Sequence, residues 1–172
     1  MFNLDLESLL SLIIAVVLAM SIHEMAHGLV SYWLGDPTAK MQGRISLNPF
    51  AHVDWLGVLC LLLFHFGWAK PVSIDASYYK DRKTGIIWTS FAGPLANFLL
   101  AFVCIFIYFL IFRLAPQFAL TGVGTFIMST LSTSATLNIG FGLFNLIPVP
   151  PLDGSKILFA FLPDEQDRKS VV

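Results

Sequence analysis

The sequence predicts an all-α polytopic membrane protein with about three full transmembrane helices, a short re-entrant or interfacial helix and a small β-hairpin. Two observations support this fold class. Of the 172 residues 56% are hydrophobic and only 12% are charged, whereas a soluble domain carries about 25% charged residues. Long uncharged segments also recur along the chain, and a membrane core needs about 20 apolar helical residues. Residues 1–172 are therefore expected to form a single membrane-embedded domain.

Three segments are long enough to cross a membrane. The first extends from about Leu9 to Leu34, and because the acidic N-terminus lacks the basic region of a signal peptide, this segment is expected to remain as an anchor. The second extends from Gly85 to Phe112 and contains no charged residue. The third lies within an uncharged stretch and is expected to span from about Gly122 to Leu146.

Two shorter segments lie between the first and second spans. Trp55–Ala69 is apolar but only 15 residues long, which favours a re-entrant or interfacial element over a full span. Residues 35–54 have turn signals around a short alternating stretch, which predicts a β-hairpin. Such a hairpin could present an edge to an extended peptide, although a plain connector explains the same residues.

The distribution of positive charge predicts the orientation. Basic residues follow the first span, precede the second and follow the third, and only Arg113 lies between the second and third. The positive-inside rule then places the N-terminus outside and the C-terminus in the cytoplasm. A net charge of −1 and the lack of a basic block argue against nucleic-acid binding.

The first span contains a metal-binding pattern, His23-Glu24-Met25-Ala26-His27. Two histidines four residues apart share one helix face and can reach a single ion, and Glu24 can act as general base on a zinc-activated water without being a ligand. Ionisable residues at membrane depth are costly and usually functional. The alternative is a chance match in which both histidines only form hydrogen bonds between helices.

A catalytic zinc usually has three protein ligands and one open position. Asp153 is the best candidate for the third ligand, because Pro148, Pro150 and Pro151 prevent a regular helix before it and can turn its carboxylate back towards the first span. Alternatively, Asp153 only caps a short helix over residues 154–161. Two further histidines are weaker candidate ligands, His52 and His65.

Other polar and small residues could support the site. Asn145 could bind a substrate carbonyl or a developing oxyanion. Alternatively, it could form hydrogen bonds to neighbouring helices together with Asn138, which lies seven residues earlier on a similar face of the same span. In the second span Gly93 allows close helix approach, Pro94 loosens the helix, and Asn97 supplies a polar group. Packing and a direct role in catalysis are both open for these three residues.

Together, HEMAH in a spanning helix, AGPLAN in a later one and NLIPVPPLDG near the end resemble the site-2 protease family, and most closely its compact prokaryotic members without PDZ or CBS domains. The resemblance covers about Leu9 to Phe161. It implies an intramembrane zinc metalloprotease in a prokaryotic plasma membrane, with its active site towards the cytoplasm. It also implies one zinc ion held by His23, His27 and Asp153.

In this family Glu24 is expected to be the catalytic base, and Gly93, Pro94, Asn97 and Asn145 are expected to lie near the active site, where they could contact substrate or transition state. The implied reaction is hydrolysis of a peptide bond within or beside a transmembrane segment. The expected partners are a transmembrane or membrane-anchored substrate and the lipid bilayer, and an oligomer is compatible with the sequence. The chain ends soon after the Asp-Gly motif, which leaves a further C-terminal helix open.

Two other functions remain compatible with the residues. A zinc or cation transporter could use histidine, aspartate and asparagine at the membrane midplane, but transport needs no adjacent glutamate and usually involves repeated halves. A catalytically inactive protein that binds membrane partners is the other alternative.

Overall fold

The computed structural model describes residues 5–52, 54, 56–57, 59–60 and 70–162, and these residues form helices and connecting segments without a strand. The α-helices with described bounds are α1 (Leu6–Trp33), α2 (Thr38–Met41), α3 (Arg82–Leu114), α4 (Pro116–Ala119), α5 (Gly122–Asn145) and α6 (Asp153–Ala160). Single 3-10 turns cover Pro49–Ala51 and Ala76–Tyr78. The all-α prediction is confirmed for this part of the chain.

Among the described residues, two helices are long and apolar enough to cross a membrane, α1 and α3. They cover the first two predicted spans except for Leu34, which directly follows α1. The starts of both helices are capped by side chains: Asp5 accepts a hydrogen bond from the Ser8 amide at the start of α1, and Asp81 accepts from two amides at the start of α3. Helix α5 begins where the third span was predicted, and the Thr121 hydroxyl accepts from the Gly124 amide there at 3.0 Å.

Helices α1, α3 and α5 pack against one another, and α6 packs against α3. Their shared interior is built from small residues and polar groups, and apart from Pro94 its buried apolar side chains are alanine or cysteine: Ala15, Ala19, Ala92, Ala101, Cys104 and Ala135. Large side chains of α3 such as Phe102 and Phe109 are more than 60% exposed. Membrane helices pack through small residues and turn large apolar residues to lipid, so this arrangement agrees with the composition.

The predicted β-hairpin over residues 35–54 is wrong, because the described residues of this region form α2 and a 3-10 turn. Local hydrogen bonds explain the difference. Asp36 accepts from the Thr38 amide at 2.9 Å, and Asn48 accepts from the Phe50 amide at 3.1 Å. Side chains that bond to nearby amides compete with strand pairing. Most of the predicted re-entrant segment Trp55–Ala69, including His65, lies outside the described residues.

The chain between α5 and α6 has no regular helix, as the three prolines predict. Helix α6 begins at Asp153, directly after this break. Its second residue, Gly154, lies against the end of α5, where an added Cβ atom would be 2.7 Å from the Ile147 carbonyl oxygen and still closer to that of Leu146. The glycine therefore allows α6 to approach α5 closely enough to place Asp153 in the interior of the bundle.

Candidate metal centre

Three buried side chains from α1 and α6 meet inside the bundle: His23, His27 and Asp153. Nε2 of each histidine lies 3.0 Å from Oδ2 of Asp153, and the two Nε2 atoms lie 3.0 Å apart. The three atoms thus form an equilateral triangle. Each residue is at most 5% exposed.

The orientation of His23 is fixed by a chain of hydrogen bonds. The amide nitrogen of Asn97 lies 3.2 Å from the Ala19 carbonyl oxygen, which can only accept. Oδ1 of Asn97 must therefore face Nδ1 of His23, at 2.6 Å. Because this oxygen also only accepts, Nδ1 carries the proton. Nε2 of His23 is left with a lone pair that points towards the other two donor atoms.

His27 is fixed in the same way by a backbone group of α3. Its Nδ1 lies 2.6 Å from the Thr89 carbonyl oxygen, so Nδ1 carries the proton and Nε2 presents its lone pair. Histidine ligands of metals almost always donate their other ring N–H to such an acceptor.

This donor set fits a metal ion. The two lone pairs and the carboxylate oxygen face one another without a proton to share, which is unfavourable unless a cation lies between them. Ligands of a tetrahedral zinc at about 2.0–2.1 Å are roughly 3.3 Å from one another, close to the observed 3.0 Å. Nitrogen and carboxylate donors are also the ligand types that zinc takes in catalytic sites.

Gly93 of α3 provides the space for the two imidazoles. A Cβ atom at this position would lie 2.5 Å from Nε2 of His27 and 2.7 Å from Nε2 of His23. The next residue, Pro94, is fully buried and has no N–H for the Ser90 carbonyl oxygen, which loosens α3. The two residues bring the backbone of α3 up to the donor atoms.

The remaining candidates lie around the triangle. The half-buried carboxylate of Glu24 accepts a hydrogen bond from the Val72 amide at 3.0 Å. Asn145 is 8% exposed, and its amide nitrogen donates to the Phe141 carbonyl oxygen at 3.0 Å. The N-cap position of α6 is occupied by Leu152, and Asp153 is the first residue of the helix, so Asp153 is not the N-cap that the alternative interpretation requires. Instead, Oδ1 of Asp153 accepts from Nζ of Lys156 at 3.0 Å.

A cavity of about 490 Å³ extends from His27 towards the start of α3 and the end of α6. Its walls come from the segment before α3, the first third of α3 and helix α6, and they are largely apolar: Val72, Ile74, Tyr79, Ile86, Phe159 and Ala160. Two basic side chains, Arg82 and Lys156, also line it. The donor triangle therefore has a space beside it that can hold a ligand.

Comparisons with known proteins agree with this geometry. The model of peptidase family M50 matches residues 119–171. Three relatives carry the description "Putative zinc metalloprotease". YwhC of Bacillus subtilis is 37% identical over 88% of this chain and 69% of its own length. The chain belongs to peptidase family M50.

The other two relatives of this M50 protein are matched over less of their length. MJ0611 of Methanocaldococcus jannaschii is 36% identical over 60% of this chain and 49% of its own length. Rip2 of Mycolicibacterium smegmatis is 26% identical over 88% of this chain and 57% of its own length. No solved structure matches the chain significantly. The predicted family, a compact type of intramembrane zinc metalloprotease, is confirmed by the family model and these relatives.

Sequence reasoning about the M50 chain missed several groups around the triangle. The Thr89 and Ala19 carbonyls and the Val72 amide are backbone atoms, for which residue type gives no signal. Lys156 could have been found, since a lysine three residues after an aspartate on a helix lies on the same face. His52 does not belong to the donor cluster found among the described residues, and its Nε2 lies 2.9 Å from the Ser46 carbonyl oxygen.

Proposed function

We propose that this M50 protein hydrolyses a peptide bond within or beside a transmembrane segment of another membrane protein. One catalytic zinc ion would be held by His23, His27 and Asp153, with Glu24 as general base. The observation that carries the proposal is the buried triangle of three donor atoms at 3.0 Å from one another, with the imidazole protons on the Nδ1 atoms that face away from it. This arrangement suits a cation and leaves one side open to a cavity.

When bound, zinc supplies Lewis-acid chemistry and makes water a stronger nucleophile at neutral pH. Everything else comes from the chain. Glu24 is a carboxylate beside a ligand but outside the donor triangle, so it is available to take a proton from water and pass it to the leaving amine. The Val72 amide holds Oε2 of Glu24 in place at 3.0 Å.

The four accessory residues divide into two groups. We assign Gly93, Pro94 and Asn97 to the support of the ligands. Gly93 adjoins both imidazoles, and the side-chain amide of Asn97 already forms hydrogen bonds with His23, Ala19 and Asn138. Asn145 remains the candidate for contact with substrate. Its amide nitrogen donates one hydrogen bond to the Phe141 carbonyl oxygen, and its second N–H can donate to an oxyanion.

The membrane placement completes the proposal. Helix α5 has no charged residue and is long enough to act as a third span, since 24 residues at about 1.5 Å each exceed the hydrocarbon thickness. The positive-inside rule places the N-terminus outside and the site towards the cytoplasm. This orientation rests on the basic residues Lys40, Arg44, Lys70, Lys80, Arg82, Lys83, Lys156, Arg168 and Lys169.

The substrate must enter the site as extended chain. A helix shields its carbonyls with its own hydrogen bonds and side chains, so the target segment has to unwind before a carbonyl reaches the donor triangle. The cavity beside His27 can hold several residues of such a segment against its apolar walls. Transmembrane segments with helix-loosening residues near their cytoplasmic end are the expected substrates.

The test is Glu24→Gln in purified protein, with zinc content and cleavage of a membrane-anchored reporter measured on the same preparation. We expect one zinc ion per chain and no cleavage. Glu7→Gln is the matched control, because Glu7 lies in the first turn of the same helix and should retain both properties. Cleavage by the zinc-loaded Glu24→Gln protein at the wild-type rate would reject the assigned base. Zinc flux into vesicles without proteolysis by the wild type would indicate a transporter.

A further inference from the structure

Asp36 is a buried carboxylate outside the donor triangle. It lies in the turn after α1 and is 0% exposed. It follows Gly35, whose φ of 107° suits glycine. Oδ1 accepts from the Thr38 amide at 2.9 Å, and Oδ2 accepts from the Ser31 hydroxyl and the Asp75 amide, both at 2.8 Å. None of the ion pairs within the described residues includes Asp36. A buried anion held only by hydrogen bonds orients the donors that surround it.

The first chain of hydrogen bonds leads from Asp36 to His27. Because Ser31 gives its single proton to Asp36, the Tyr79 hydroxyl must donate to Ser31, at 2.7 Å. The Thr89 hydroxyl must then donate to Tyr79, at 3.0 Å. Thr89 is also the residue whose carbonyl oxygen fixes Nδ1 of His27. Three hydroxyl groups thus point one after another towards Asp36 and connect it to a candidate metal ligand.

The second chain of contacts leads from Asp36 to Glu24. The Asp75 amide anchors one end of residues 70–75 on Asp36, and the Lys70 amide anchors the other end on the His52 carbonyl oxygen at 2.9 Å. Between these anchors, the Val72 amide donates to Glu24. The segment also lies tightly on α1, since a Cβ atom on Gly28 would be 3.3 Å from the Val72 side chain.

We propose that Asp36 is a positioning residue of the active centre. It acts on His27 through Ser31, Tyr79 and Thr89, and it acts on Glu24 by anchoring residues 70–75. The inference rests on the proposed function, in which His27 is a zinc ligand and Glu24 the base. The competing explanation is that Asp36 only stabilises its own turn through the Thr38 amide.

The first experiment measures zinc affinity, using zinc alone and a competing fluorescent chelator on purified protein in detergent. Asp36→Asn keeps the size of the side chain but removes its charge and one acceptor, and should weaken zinc binding about 10-fold, the lower end for outer partners of ligands. The ring of Tyr79 lies against Gly85, and Tyr79→Phe keeps this ring while it removes the hydroxyl that bonds to Ser31 and Thr89. It should weaken zinc binding by about 3-fold or more.

The control is Asp81→Asn, because Asp81 also accepts three hydrogen bonds, from the Lys83 amide and from the amide and hydroxyl of Thr84. It lies outside both chains of contacts, so zinc affinity should stay within about 2-fold of wild type. Wild-type affinity in folded Asp36→Asn and Tyr79→Phe proteins would overturn the inference for His27. An equal loss in Asp81→Asn would also overturn it.

The second experiment tests the arm that leads to Glu24 without metal or substrate. Amide hydrogen exchange of residues 70–76 should be about 10-fold faster in Asp36→Asn, because exchange follows local opening. In Tyr79→Phe it should stay within about 2-fold of wild type, since the hydroxyl that is removed bonds to Ser31 and Thr89 and the backbone bond from the Tyr79 amide to Ala76 is unchanged. Unchanged exchange in Asp36→Asn would overturn this arm. If the wild type bound no zinc and cleaved nothing, the proposed function would fail, while the exchange result would still show whether Asp36 anchors the segment.

Discussion

Nδ1 of His23 and Oδ1 of Asn97 are 2.6 Å apart, and the direction of this hydrogen bond is set from outside the pair. The amide nitrogen of Asn97 donates to the Ala19 carbonyl oxygen, which orients the Asn97 side chain. The same nitrogen also donates to the side-chain oxygen of Asn138 at 2.7 Å, and that oxygen faces Asn97 because the side-chain nitrogen of Asn138 donates to the Ser134 carbonyl oxygen. Three helices therefore determine which nitrogen of one imidazole carries a proton. A candidate metal ligand is prepared before any ion binds.

The first prediction concerns Asn97→Leu, which keeps the volume but removes the acceptor. Without it, His23 can protonate Nε2 or rotate, and zinc affinity should fall about 10- to 100-fold. Chelator competition on purified protein measures this loss. Ser11→Ala is the control, because it removes a partly buried interhelical hydrogen bond to Thr130 at 2.9 Å that does not involve the triangle. Equal affinities in both variants would contradict the role of Asn97.

The second prediction concerns Gly93→Ala. The added methyl group would lie 2.5 Å from Nε2 of His27, below ordinary van der Waals contact, so the imidazoles or α3 must shift and the donor triangle must open. We expect zinc content well below one ion per chain, measured by elemental analysis. Gly140→Ala is the matched control, since a Cβ atom there meets nothing within 4 Å. Full zinc occupancy in the Gly93→Ala protein would show that the imidazoles can move aside without cost.

The residues of the triangle could be predicted from the sequence because each is a rare type in an apolar context. His23 and His27 follow the helical period, and three prolines mark the break that brings Asp153 inwards. The bounds of α5 could also be predicted, because the uncharged sequence of this helix follows a threonine that can cap its first turn. Each of these features depends only on residues that are close together in the sequence.

The network around Asp36 could not be predicted in this way. Its donors come from α1, the start of α2, residues 70–79 and α3, and more than half of its contacts use backbone atoms. Asp36 also explains why the predicted hairpin is wrong, because a carboxylate that accepts from the Thr38 amide favours a turn over a strand. Periodicity describes one segment at a time, so it gives no information about side chains that connect four segments.

The third prediction separates the two oxygens of Asp153. Asp153→Asn removes the negative charge that faces both imidazoles and should lower zinc affinity by more than about 100-fold, as expected for a lost ligand. Lys156→Met removes only the partner of Oδ1. Since the Lys156 side chain is 54% exposed, its ion pair is worth at most about 1 kcal/mol, or roughly 5-fold in affinity. A larger loss in Lys156→Met than in Asp153→Asn would reject Asp153 as ligand.

The fourth prediction concerns the effect of pH on stability through Asp36. Burial opposes ionisation of Asp36, but hydrogen bonds from Thr38, Ser31 and the Asp75 amide outweigh it and hold the pKa below its usual value. A carboxyl group whose pKa is lower in the folded protein stabilises it above the unfolded pKa, about 3.9, and loses this contribution as the pH falls through the folded value.

The experiment compares the thermal unfolding of wild type and Asp36→Asn in detergent between pH 3 and 7 (a range chosen around the pKa of about 3.9). Carboxyl groups common to both proteins cancel in the difference. We expect wild type to be more stable by a constant amount above about pH 5. This advantage should shrink steadily below about pH 4, because the unfolded chain then binds a proton at Asp36 that the folded protein, with its lower pKa, does not bind. An advantage that stays constant down to pH 3, or grows, would mean that the hydrogen bonds do not lower the pKa of Asp36 in the folded protein. The buried carboxylate would then act through its shape alone, and the orientation of Ser31 and Tyr79 would need another cause.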